Sequence, residues 1–182
     1  MSFQSGDEFV RKGDTTMPND LSIAAALGAL LRERKQTLAV AESSAGGLIS
    51  ATLLAVPGAS AYFVGGGVIY TQAARRGLLR VGDDAVKGIR SSSEPYAELK
   101  AKAVRELMGA TWGLAETGAS GPTGNRYGDA AGHACIAVAG PVERVITVET
   151  GDADRERNMW AFTRAALKLL EDAVRAGRVS GA

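Results

Sequence analysis

Apolar positions recur with two periods along this chain, and the alternation between them sketches the fold. Between residues 21 and 34, Ile23, Leu27, Leu30 and Leu31 share one face of a helix, with Asp20 placed to cap it. Residues 37–41 form a short apolar run, which predicts a buried strand. Residues 44–55 predict a second helix, stopped by Val56, Pro57 and Gly58. A glycine-rich strand follows over 61–70, and its three glycines at 65–67 imply close approach by another backbone or a ligand. Residues 71–79 have helical character. Residues 94–108 form an amphipathic helix with Ala97, Ala101, Val104, Leu107 and Met108 on its apolar side. Residues 111–116 read as another buried strand, and 117–132 as a glycine-rich loop. Strands over 133–139 and 144–150 flank Gly140 and Pro141, a hairpin signal. The last helix spans 155–176, with Trp160, Leu167, Leu170 and Val174 as its core face.

Helices alternating with strands predict an α/β protein, a three-layer α/β/α sandwich. The terminal hairpin makes its sheet mixed, though mostly parallel. Residues 1–19 lack periodicity and read as a flexible polar tail, leaving one domain over 20–177.

Composition narrows the partners. In 182 residues, hydrophobic content of 46% and a net charge of +1 fit one globular domain and give no support for nucleic-acid binding. The only cysteine, Cys135, excludes an intrachain disulfide and reads as a small buried strand residue. No apolar run approaches a membrane span, and no basic-then-apolar leader opens the sequence. A cytoplasmic protein is expected.

The chemistry concentrates at residues 41–47, Ala-Glu-Ser-Ser-Ala-Gly-Gly, where a strand turns tightly into a helix. Such a turn aims backbone N–H groups outward, as acyl transfer or phosphate binding requires. The Ser43 hydroxyl stands at the turn; the plainer reading is that it only caps the helix. A second loop, 117–124, is rich in Gly, Ser and Thr. Ligands gather outside the carboxyl ends of strands in open α/β sheets. Both loops, and Tyr70 at a third strand end, are therefore expected around one cleft.

Five blocks in order give the chain a resemblance to the CinA C-terminal domain, or PncC-type nicotinamide-nucleotide amidase, family. They are Ala41 to Gly47; Val56-Pro57-Gly58-Ala59-Ser60 with Tyr62-Phe63; Gly65 to Tyr70; Thr117-Gly118-Ala119-Ser120-Gly121-Pro122; and Gly151, Asp154 and Arg155. The match covers roughly residues 21–176. Larger members carry an additional N-terminal domain, for which this chain is too short. The resemblance implies hydrolysis of the carboxamide of nicotinamide mononucleotide to nicotinate mononucleotide and ammonia. It implies no metal or organic cofactor, a small nucleotide substrate and a homo-oligomer.

The same resemblance assigns roles. Ser43 matches the nucleophile, whose oxyanion the N–H groups of Ser44, Ala45, Gly46 and Gly47 would hold. Tyr70 would stack on or hold the substrate. From the residues themselves, Thr117, Gly118, Ser120 and Gly121 make either a polar cradle for phosphate or plain turn chemistry, and Arg155 and Arg126 either pair with that phosphate or are simply exposed. The departure is Arg75, which stands where the family has a lysine paired with the serine; residues 36–86 contain no lysine. Arginine stays protonated and cannot accept a proton. Three readings stay open: Arg75 acts electrostatically, the chain cleaves another amide or ester, or catalysis is lost and a nucleotide cleft remains. His133 is the only histidine; it reads as structural, or as the replacement base if it reaches the cleft. Glu42 and Glu116 precede the two loops and are candidates to pair with Arg75 or Arg76.

Overall fold

A computed structural model of the chain describes residues 21–177. The tail over 1–19 and the Asp20 cap lie outside the described residues. The strands are β1 (Leu38–Glu42), β2 (Phe63–Val68), β3 (Trp112–Ala119), β4 (His133–Ala139) and β5 (Arg144–Glu149). They lie in the order β2-β1-β3-β4-β5. β1 pairs in parallel with β2 and β3, while β4 is antiparallel to both β3 and β5. Only β4 runs against the others: the loop over 120–132 reverses the chain into it, and the hairpin at Gly140 and Pro141 reverses it again into β5.

The helices are α1 (Ser22–Glu33), α2 (Leu48–Leu54), α3 (Gln72–Gly77), α4 (Glu94–Met108) and α5 (Arg155–Ala176). The strands' period of two divides their side chains into unlike faces. Leu38, Val40, Trp112, Leu114, Ile136 and Val138 pack beneath α1, α2 and α5. Ala39, Ala41, Ala115, Ala137 and Ala139 form the opposite face, against Ala97, Ala101 and Val104 of α4. The result is an α/β/α sandwich with one thick and one thin core. Small residues on both sides let α4 approach the sheet closely. At Gly113 the approach is limiting, since a Cβ there would lie 2.0 Å from the Ala101 carbonyl oxygen.

Several element details depart from the expectations. α2 starts at Leu48, so residues 43–47 form a turn rather than its first residues. On α4, Leu107 is half-buried and Met108 exposed. Tyr96 and Lys100 complete the buried face instead. Trp160 is half-buried, and Phe162, Ala166, Leu170, Ala173 and Val174 carry the α5 core. β2 is an edge strand whose Gly66 lies under α2; a Cβ there would come within 2.8 Å of Ser50 Oγ.

His133 is structural. Its Nε2 lies 3.0 Å from the Ser92 carbonyl and its Nδ1 lies against the Glu149 carboxylate, so both ring nitrogens face acceptors. Only the imidazolium donates from both. Burial opposes its charge, but the Glu149 and Ser92 hydrogen bonds and the charges of Asp129 and Glu149 outweigh burial and raise the His133 pKa. The anchored Ser92 has φ of 56°, left-handed backbone for a residue with a side chain.

This packing has two measurable consequences. Gly113→Ala must push α4 off the sheet and costs about 3 kcal/mol, read as a lower urea midpoint at unchanged m-value. The raised His133 pKa adds stability that is complete below the unfolded value, about 6.5, and is lost as pH rises through the folded value. The melting-temperature gap between wild type and His133→Gln is therefore larger at pH 5.5 than at pH 9.

Candidate functional site

β1 and β3 run side by side in the same direction, with Ala41 paired to Ala115. The next residues, Glu42 and Glu116, are both fully buried. A buried carboxylate needs donors, and a tight turn entering a helix has amides to spare. Glu42 accepts hydrogen bonds from the Gly47, Ile49 and Ser50 amides at 2.9, 3.0 and 3.1 Å, and from the Ser50 hydroxyl. Glu116 accepts from the Ser43 and Ala45 amides, both at 2.9 Å, and from the Ser44 hydroxyl. The two carboxylates thus clamp the 43–47 turn from beneath. They pair with neither Arg75 nor Arg76, which both engage Asp83 instead.

This clamp separates the two serines. Ser44 is buried and bonded to Glu116. Ser43 is half-buried, lines a cleft of about 530 Å³, and its hydroxyl has no hydrogen-bond partner among the described residues. Capping does not occupy it. The N-cap of α2 is Gly47, with φ of 102°, and the first helical amides go to Glu42.

The expected run of outward amides is largely spent. Ala45 N–H goes to Glu116, Gly46 N–H to the Ser43 carbonyl and Gly47 N–H to Glu42. Among the described residues, the Ser44 amide alone in that run lacks an acceptor within the chain. Ala45, Gly46 and Gly47 therefore shape the turn and do not line the cleft.

The cleft walls bring together Ser43, Tyr70, Thr117 and Gly118, as the sequence suggested, with Arg126 at the rim. Tyr70 is 60% exposed, so its ring is open to a ligand. Thr117 Oγ1 accepts from the Ser92 amide at 3.3 Å. An adjoining recess of about 220 Å³ shares Tyr70 and Gly118 with the cleft and adds Ser44, Ser120, Gly121 and Arg155. Ser120 is committed elsewhere: its hydroxyl donates to the Ser44 carbonyl at 2.7 Å, tying the two loops together. Arg155 donates to the Gly121 carbonyl at 2.7 Å and to Tyr70 Oη at 3.2 Å, bridging the loop to the aromatic wall.

Arg75 lines neither cavity. It is 2% exposed, and its guanidinium donates to the Val81 and Gly82 carbonyls and to Asp83. α3 has only six residues, and the planar, multi-donor Arg75 side chain fastens the chain that leaves it. His133 lines neither cavity either, so the condition for its being the replacement base, that it reach the cleft, is not met and the structural reading stands.

Sequence reading passed over Ser91, Ser92, Tyr96, Asn125 and Tyr127, which also line the cleft. It also passed over Lys100, which is fully buried and donates to the Glu116 carbonyl oxygen at 3.0 Å. Burial pulls the Lys100 pKa down to about 8 against the opposing pull of Glu116 and Glu42. A signal existed: Lys100 lies four residues from both Tyr96 and Val104, in the buried stripe of α4. Among the described residues, no group of three or more His, Cys, Asp or Glu side chains is placed to hold a metal ion. No described helix is long and apolar enough to cross a membrane.

Known proteins resemble this chain in sequence and in fold. A CinA-like protein of Salinibacter ruber (strain DSM 13855 / M31) is 36% identical over 165 residues, covering 91% of this chain and 39% of its own length. A CinA-like protein of Gloeobacter violaceus (strain ATCC 29082 / PCC 7421) is 40% identical over 153 residues, covering 82% and 35%. The chain thus spans under half the length of these relatives. The crystal structure of competence damage-inducible protein A (ComA) from Klebsiella pneumoniae subsp. pneumoniae MGH 78578 superposes with a TM-score of 0.82 at 25% identity, over 88% of this chain and 99% of that one. The competence/damage inducible protein CihA from Agrobacterium tumefaciens gives 0.77 at 27% identity, over 84% and 94%. The family model of the CinA C-terminal domain matches residues 20–174, and the chain belongs to that family.

Proposed function

We propose that this protein is an amidohydrolase that cleaves the carboxamide of a pyridine nucleotide, with nicotinamide mononucleotide as substrate and Ser43 as nucleophile. The observation that carries the reading is the Ser43 hydroxyl, which lines the cleft with no hydrogen-bond partner among the described residues while Glu42 does the capping that a serine would otherwise do. A cleft of about 530 Å³ is in the range that holds small molecules. The pyridine ring would rest on the exposed Tyr70, and Arg126 or Arg155 would meet the phosphate. Ser43 Oγ would attack the carboxamide carbon, and the Ser44 N–H, without an acceptor among the described residues, would receive the oxyanion. One such donor is worth about 2.7–4 kcal/mol in the transition state. Loss of ammonia leaves an acyl ester on Ser43, which water then hydrolyses to the carboxylate.

A second reading is favoured by Arg75. With its guanidinium held by Val81, Gly82 and Asp83, no side chain of α3 is available to take the Ser43 proton. On that reading the cleft binds a nucleotide without turnover. Nicotinamide mononucleotide would then raise the melting temperature and release no ammonia.

Incubation with nicotinamide mononucleotide and an enzymatic ammonia assay separates the two. The amidase reading expects release that Ser43→Ala lowers by about 10⁴-fold or more, as loss of a nucleophilic serine does. Release equal to that of the Ser43→Ala control rejects it. Arg126→Ala, which removes an exposed rim cation, is expected to raise KM roughly tenfold with kcat unchanged, the loss of one charged hydrogen bond. An unchanged KM removes Arg126 from the phosphate site.

A further inference from the structure

The amidase reading leaves Ser43 without a proton acceptor on α3. Taking Ser43 as the nucleophile, and so resting on that reading, we propose that the side chain of Lys100, on α4, accepts the Ser43 proton and later returns it to the departing nitrogen.

Position supports this first. Ala39 and Ala41 of β1 face α4, and β1 ends at Glu42, directly before Ser43. Ala115 of β3 faces α4 in the same way, and Thr117 follows it. Lys100 reaches the end of this row from the helix above it. Its Nζ lies 3.0 Å from the Glu116 carbonyl oxygen, the peptide oxygen immediately before Thr117. It also lies 5.9 Å from the centre of the Tyr96 ring. Thr117 and Tyr96 both line the Ser43 cleft; Lys100 itself is fully buried and is not one of the lining residues, so its nitrogen adjoins groups of the cleft wall and does not open on the cleft.

Hydrogen bonding supports it second. An ammonium has three donors, yet the Glu116 carbonyl is the one acceptor bonded to Lys100 Nζ among the described residues. A fully buried ammonium so poorly partnered is costly, which makes its proton easier to lose than that of an exposed lysine. One N–H of the neutral amine keeps the bond to Glu116 and orients the nitrogen, leaving its lone pair unspent. Burial lowers the Lys100 pKa to about 8, a value suited to a general base near neutral pH.

The charged groups around Lys100 are accounted for. Glu42 of β1 and Glu116 of β3 act on it at longer range, but both carboxylates are committed to the 43–47 turn. Tyr96 lies on its own helix. On the α4 face of β4, His133 is bonded to Glu149 of β5 and to Ser92, and Cys135 is buried. Arg75 of α3 is engaged with Asp83.

The step balances. The Ser43 oxygen forms a bond to the carboxamide carbon as its proton passes to the Lys100 lone pair, and the carbonyl π pair moves to oxygen. When the carbon–nitrogen bond breaks, the leaving nitrogen takes the proton from Lys100 and departs as ammonia. Water then attacks the ester with Lys100 again accepting the proton, which returns to Ser43 Oγ as the carboxylate leaves.

A fluorophosphonate tests this without an amide substrate. The serine oxygen bonds to phosphorus and expels fluoride, so the labelling rate reads loss of the Ser43 proton; Ser43→Ala is the blank. Wild-type labelling is expected to rise with pH to a plateau with a midpoint near 8. Lys100→Met is expected to label at least tenfold more slowly at pH 9 and to lose that midpoint. Lys100→Arg keeps the charge, cannot accept a proton and is expected to match it. With nicotinamide mononucleotide, both variants should lower kcat with KM unchanged. Should Lys100→Met fail to melt cooperatively, Lys100→Gln replaces it. Wild-type rate and pH profile in any folded Lys100 variant overturn the assignment, as does a wild type that does not label. Lys100-dependent labelling without ammonia release keeps the proton acceptor and discards the nucleotide substrate. Ammonia release that needs Ser43 but not Lys100 does the reverse.

Discussion

Two carboxylates buried at adjacent strand ends govern this site. Glu42 and Glu116 occupy positions where nothing but hydrogen-bond donors makes a charge tolerable. The 43–47 turn supplies those donors, and in return its backbone is held by charge-assisted bonds on both sides. Each partner explains the other. Without the carboxylates the turn would present a row of orphan amides; without the turn the carboxylates would be unpaired charges under a helix. The arrangement also settles which side chains remain available. The amides of Ala45, Gly46 and Gly47 are consumed, Ser44 is tied down, and the Ser43 hydroxyl is left facing the cleft.

The unlike faces of the sheet matter for the same reason. Large aliphatic side chains hold α1, α2 and α5 at ordinary distance, whereas the alanine face lets α4 lie close. Gly113 marks how close, since α4 leaves no room there for a methyl group. That proximity carries Tyr96 into the cleft wall and brings the Lys100 nitrogen to the peptide before Thr117. A bulkier face would hold α4 farther away, and its polar side chains would end short of the strand ends. The thin core is therefore part of the site's construction and not only of its stability.

Much of this was legible in the sequence, because periodicity reports burial. The bounds of α4, β4 and α5 follow from their apolar spacing, and the Gly-Pro step identifies the β4–β5 hairpin. The gathering of Ser43, Tyr70, Thr117 and Gly118 follows from strand ends in a parallel sheet. What failed shares a physical cause. A serine before a helix looks like a cap, and nothing local says that a glutamate at the preceding strand end will take the task through space. Arg75 entered the site reading because it aligns with the family's lysine, and nothing in the sequence shows that the Val81 and Gly82 carbonyls and Asp83 will hold it. Lys100 was passed over, because a buried lysine is rare. Its spacing of four from both Tyr96 and Val104 puts it on the buried face of α4.

Positive charge near the turn is thereby divided between two residues with different work. Arg75 cannot lose its proton and is placed where permanence is useful, fastening carbonyls and Asp83 after a short helix. Lys100 can lose its proton and is placed where burial makes that loss easy. Exchanging them would serve neither site. An arginine at 100 would need acceptors for five N–H groups in a thin core that offers one carbonyl, and a lysine at 75 would leave Val81, Gly82 and Asp83 to a single nitrogen. The geometry of each pocket thus selects its cation, and the absence of a lysine from α3 does not leave the Ser43 side of the sheet without an amine.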